Sequence, residues 1–112
     1  MKNKVVYNTC FGGFRLSNKA VNWLENNGSE DIKKLIKENK NNEYLNGIVT
    51  DYYRTRRHDP DLISVVKALG KEANDTFSEL AICPISGDRY YIQEYDGSED
   101  VLTPDNIPWI II

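Results

Sequence analysis

The chain has 112 residues, 40% of them hydrophobic, enough for one domain, residues 1–112, with a real core. Its net charge of -3 argues against coating an extended nucleic acid, which needs a basic face. No run is long and apolar enough to span a membrane, and the N-terminal residues show no signal-peptide core.

The chain opens with a strand-like run, Lys4 to Asn8, in which Val5, Val6 and Tyr7 are β-branched or aromatic. Cys10-Phe11-Gly12-Gly13-Phe14-Arg15-Leu16-Ser17 follows. Two glycines admit backbone angles closed to other residues and let another group approach closely. Ser17 is a good N-cap for a helix over residues 18–26, with Ala20, Val21 and Leu24 on one face. Strand, glycine loop and helix start together concentrate unpaired N–H groups and the positive end of a helix dipole, an arrangement suited to an anion. Gly12, Gly13, Arg15 and Ser17 are its candidate residues. The competing reading is a tight connection whose Phe11 and Phe14 plug the core.

Asn27-Gly28 stops the first helix, and Ser29 caps a second, amphipathic along Ile32, Leu35 and Ile36. Lys37 to Glu43 reads as a polar connection. Residues 44–53 fit a helix by the spacing of Leu45, Ile48, Val49 and Tyr52, and a strand by the propensity of Ile48 to Tyr53; the strand is the expectation. Arg54-Thr55-Arg56-Arg57-His58 is the one dense positive patch. Asp59-Pro60 then opens a helix as N-cap and first helical residue, with Leu62, Val65, Val66, Leu69 and Ala73 on one face.

The last third reads as β. Ser78 to Ile85 and Arg89 to Tyr95, joined by Ser86-Gly87-Asp88, are expected to form an antiparallel hairpin. Asp96-Gly97 turns the chain again, and Val101-Leu102 extends the sheet. The tail, residues 104–112, ends in Pro108-Trp109-Ile110-Ile111-Ile112 and is expected to dock on its own domain or on a second subunit. The fold expected is α+β: a β-α-α segment, a central capped helix and a C-terminal antiparallel hairpin.

A single histidine, His58, excludes chemistry that needs a histidine pair within one chain. A zinc site would have to assemble His58, Cys10 and Cys83 from distant positions, and Asp96, Glu99 and Asp100 lack the spacing of a calcium loop; no metal and no cofactor are expected. Cys10 and Cys83 read as reduced, buried thiols, although a disulfide between them is compatible with the sequence. Arg56 and Arg57 can hold phosphate by bidentate contacts, while Tyr91 or Trp109 offers a stacking surface for a base; a charged loop paired with the acidic turns is the alternative.

Two stretches, Asn8-Thr9-Cys10-Phe11-Gly12-Gly13-Phe14 with Leu16-Ser17, and Arg57-His58-Asp59-Pro60-Asp61-Leu62 with Val65-Val66 and Leu69-Gly70, together with Tyr95-Asp96-Gly97 and Glu99, resemble a family of small uncharacterised proteins encoded by tailed bacteriophages and some large viruses. Residues 29–53 fall outside these blocks as a variable insert, and Pro108 to Ile112 departs from the family ending. The resemblance implies a viral accessory protein in the host cytoplasm. By analogy of context it suggests a sponge for a nucleotide-derived immune signal. The leading expectation is non-enzymatic binding of a small phosphorylated nucleotide ligand by a homo-oligomer. The alternatives are a protein-binding inhibitor of a host enzyme, which would use the tail and the acidic 96–100 turn, and a hydrolase or transferase using Cys10 or the carboxylates.

Overall fold

The computed structural model describes residues 3–106 and 110–112. Strand β1 (Asn3–Asn8) leads into four helices: α1 (Asn18–Asn27), α2 (Glu30–Glu38), α3 (Leu45–Arg54) and α4 (Pro60–Leu69). A 3-10 turn over Gly70–Ala73 precedes strands β2 (Leu80–Ile85), β3 (Tyr91–Tyr95) and β4 (Ser98–Leu102). This is a mixed α+β domain with two antiparallel two-stranded sheets, β1 with β2 and β3 with β4. No described helix is long and apolar enough to cross a membrane.

The caps act as their residue types dictate. Ser17 accepts the Ala20 amide at the start of α1. Asp59 accepts the Asp61 amide ahead of Pro60 in α4, and Gly70, with φ of 55°, ends that helix. Ser29 precedes α2 without a side-chain cap bond, so the acidic Glu30 and Asp31 are what favour that helix start.

The core is one cluster. It joins Val6, Phe14 and Leu16 to Leu24 of α1, Ile36 of α2, Tyr53 of α3 and Leu62 of α4, among others. Residues 29–53 are therefore integral to this fold: Ile32, Ile36, Val49 and Tyr53 are fully buried.

Two expectations are corrected. Residues 45–54 form a helix, not a strand. Val49 and Tyr53, one helical turn apart, both point into the core, and Thr50 beside them accepts the Leu16 amide through Oγ1 at 3.2 Å. Burial of that face outweighs the β-propensity of Ile48 to Tyr53. The second correction concerns strand pairing. Ser78–Ile85 and Arg89–Tyr95 are not hairpin partners: β2 pairs with β1, from Asn3 opposite Ile85 to Asn8 opposite Leu80. The hairpin is β3–β4, closed at Asp96-Gly97 with Tyr95 opposite Ser98. Both turn residues have positive φ, 48° and 91°, as a two-residue type I′ turn requires.

The tail is only partly described. Ile110, Ile111 and Ile112 are exposed in the isolated chain. Pro108 and the proposed base-stacking Trp109 lie outside the described residues.

Candidate functional site

The three sequence blocks converge on a buried ion pair. Arg57, in the α3–α4 connection, places Nη1 2.7 Å from Glu99 Oε1 and Nη2 2.9 Å from Oε2. The guanidinium lies 3.7 Å from the centroid of the Phe14 ring. Its Nε donates to the Arg54 carbonyl and Nη1 also donates to the Val6 carbonyl, while the Arg57 carbonyl accepts the Val6 amide. Glu99 Oε1 accepts the Asn8 amide as well. Asn8, fully buried, uses its side chain on the Cys10 and Gly97 carbonyls and the Glu79 amide. Arg57 is thus neutralised inside the protein, with Nε, Nη1 and Nη2 each hydrogen-bonded, and it joins β1, β4 and the glycine loop.

The glycine loop is committed in a similar way. A Cβ on Gly12 would stand 1.6 Å from the Phe77 carbonyl oxygen. A Cβ on Gly97 would stand 2.6 Å from both the Gly13 nitrogen and the Phe11 carbonyl oxygen. These glycines let the β3–β4 turn and the segment around Phe77 pack backbone to backbone on the loop. Phe14 is buried as a plug, but Phe11 is 71% exposed. The Ser17 hydroxyl caps α1 and donates to the Glu72 carbonyl. Arg15 pairs with Asp75 at 3.0 Å on the surface.

The positive patch does not point one way. Arg54 pairs with Asp51, and Arg56 donates to the Tyr52 carbonyl with its guanidinium 4.3 Å from the Tyr52 ring centroid. Arg57 turns inward. Cys10 and Cys83 are free and half-buried. Among the described residues no group of three or more histidine, cysteine or carboxylate side chains is gathered to hold a metal.

The open space lies elsewhere. A cleft of ≈ 370 Å³ is lined by Asn3, His58, Ile85, Asp88, Arg89 and Tyr90. Asn3 fixes the turn above it by donating Nδ2 to the Gly87 carbonyl at 2.7 Å. His58 Nδ1 and the Tyr90 hydroxyl are hydrogen-bonded at 2.9 Å, with their rings edge to face. Burial pushes the Tyr90 phenol above its ordinary range, against the opposing pull of the Arg57 backbone amide and charge and of the His58 backbone amide. The hydroxyl therefore stays protonated and acts as a hydrogen-bonding group. A second cleft, ≈ 250 Å³ and predominantly apolar, shares Arg89 and Tyr90 with it and is lined further by Tyr91, Leu102, Thr103 and Pro104. Tyr91, expected as a stacking residue, lies here, 67% exposed.

Of the residues singled out in the sequence, Gly12, Gly13, Arg15 and Ser17 stay in one loop and Arg57 in the ion pair. Arg56 lies on the surface beside Tyr52, and of the described residues expected to bind the ligand only Tyr91 lines a cleft. Sequence reasoning missed Arg89, Tyr90 and His58 as neighbours. The available signal was a cation directly followed by two tyrosines. No family model, curated protein or solved structure matches the chain.

Proposed function

We propose that the protein is a non-enzymatic binder of a small phosphorylated ligand carrying a base, seated where the two clefts meet. The observation that carries this reading is that Arg89 and Tyr90 line both clefts. One side offers His58, Asn3 and Asp88 for polar contacts, and the other offers Tyr91, Leu102 and Pro104 for apolar ones. A concave site with an apolar wall and a few convergent polar groups is the usual form of a small-ligand site. Arg89 supplies a phosphate partner, because its Nε contact to the adjacent Asp88, 3.2 Å, is a surface pair that a phosphate can displace. The loop residues Gly12, Gly13 and Ser17, and Arg57, support this site indirectly by holding the fold.

The resemblance to viral proteins supports a role in host cytoplasm, where sequestering a nucleotide-derived signal needs binding without turnover. The exposed Ile110–Ile112 supports self-association as a homo-oligomer. The test is a melting-temperature screen against nucleotides, ADP-ribose derivatives and cyclic dinucleotides, with native mass spectrometry on hits. A ligand bound only by the folded state raises its stability by mass action. The expected result is a selective shift without product, abolished by Arg89→Ala. A hit that is consumed, or one indifferent to Arg89→Ala, overturns the reading.

A second reading, a protein-binding inhibitor, is favoured by Phe11, Phe77 and Tyr95. These side chains are 71%, 74% and 74% exposed around the glycine contacts. It predicts a stable complex from host lysate that is lost in Phe77→Ser/Tyr95→Ser and indifferent to Arg89→Ala.

A further inference from the structure

Resting on the small-ligand reading above, we infer that the ligand is a linear dinucleotide with a single phosphodiester, one nucleoside in each cleft and the linking phosphate on Arg89. The volumes of ≈ 370 and ≈ 250 Å³ each suit one small group, and Arg89 and Tyr90 are common to the walls of both spaces. Tyr90 has its hydroxyl tied to His58 on the polar side. Arg89 is the other shared residue. Among the described residues only its Nε is engaged, by Asp88, which leaves the Nη side of the fork for two parallel hydrogen bonds to one phosphate.

The two spaces differ in what they can read. The larger presents the Asn3 amide, the Asp88 carboxylate and the His58 ring, which are groups able to pair with a base edge or ribose hydroxyls. The smaller presents Tyr91, Leu102 and Pro104, which can stack a base but offer its edge little. The arrangement therefore specifies one nucleoside and tolerates the other. With a single arginine at the boundary, one bridging phosphate is matched, and the second phosphate of a cyclic dinucleotide finds no comparable partner in either lining.

Isothermal titration with the four linear dinucleoside monophosphates ApA, GpG, CpC and UpU, and with the four corresponding 5′-mononucleotides, tests this. At least one dinucleoside monophosphate is expected to bind about tenfold or more tighter than its mononucleotide. The mononucleotide carries the greater charge, so charge alone predicts the reverse order. Tyr91→Ala, at an exposed position, is expected to bring the dinucleoside monophosphate down to the mononucleotide's affinity and leave the latter unchanged. Mononucleotides that bind as tightly, with binding lost in Arg89→Ala, overturn the dinucleotide assignment and keep the small-ligand reading. No binding by any of the eight compounds overturns the dinucleotide assignment, while the small-ligand reading is decided by the wider melting-temperature screen.

Discussion

Arg57 and Glu99 meet through two nitrogen–oxygen contacts, at 2.7 and 2.9 Å, with their side chains 3% and 5% exposed. They are 42 residues apart in sequence, and their neighbours in space, Phe14, Val6 and Asn8, come from a third region. A buried pair of this kind is costly to break because the survivor is left charged and unpaired. Glu99→Ala or Arg57→Ala is expected to cost about 3–5 kcal/mol each. The double variant Arg57→Ala/Glu99→Ala should cost less than the sum of the single losses. Urea denaturation of the four species in a double-mutant cycle measures this; additive single losses would show that the pair is not coupled.

Glycine substitutions should separate close packing from mere flexibility. Gly12→Ala drives a methyl into the Phe77 backbone and is expected to destabilise by about 1–3 kcal/mol or more. Gly47→Ala, inside α3 with open space around its Cβ position, should stabilise by about 1 kcal/mol through helix propensity. Thermal melts of the two variants should therefore move in opposite directions.

The Tyr53 hydroxyl is buried without a hydrogen-bond partner among the described residues. Burial, reinforced by the nearby Asp59 and Asp61 charges, pushes this phenol far above its ordinary value of about 10. The folded state thus keeps a proton that the unfolded chain releases above that pH, so stability falls as pH rises beyond about 10. Tyr53→Phe removes both the orphaned hydroxyl and this alkaline loss. At neutral pH it should be neutral or stabilising by about 1 kcal/mol, and at pH 11 its advantage should widen. Denaturation midpoints at the two pH values check the sign; a constant difference would reject it.

Ser17→Ala removes the α1 cap and leaves the Glu72 carbonyl without its donor. A loss of about 1–2 kcal/mol is expected, with Ser17→Asp recovering the cap but not the donated bond. Amide hydrogen exchange at Ala20 reports the cap directly, and unchanged protection in Ser17→Ala would count against it.

Local signals in the sequence determined β1, the capped helices α1 and α4, the amphipathic helix α2, the α+β class and the Asp96-Gly97 turn. Each rests on neighbours: the Ser17 and Asp59 caps, the Pro60 ring, the spacing of Leu62, Val65 and Val66. What only the tertiary structure decided depends on partners far apart in the chain. Residues 45–54 became helix because Val49 and Tyr53 found a core to fill, against their own propensity. β2 left the expected turn partner for β1, a pairing that local alternation cannot specify. Arg57 looked like one more surface cation until Glu99 and the Phe14 ring enclosed it. Gly12 and Gly13 looked like an open anion cradle until Phe77 and Gly97 closed on them. The clefts around Arg89 and Tyr90 had no sequence signature of comparable strength, because they are the space left between elements whose packing the whole chain determines.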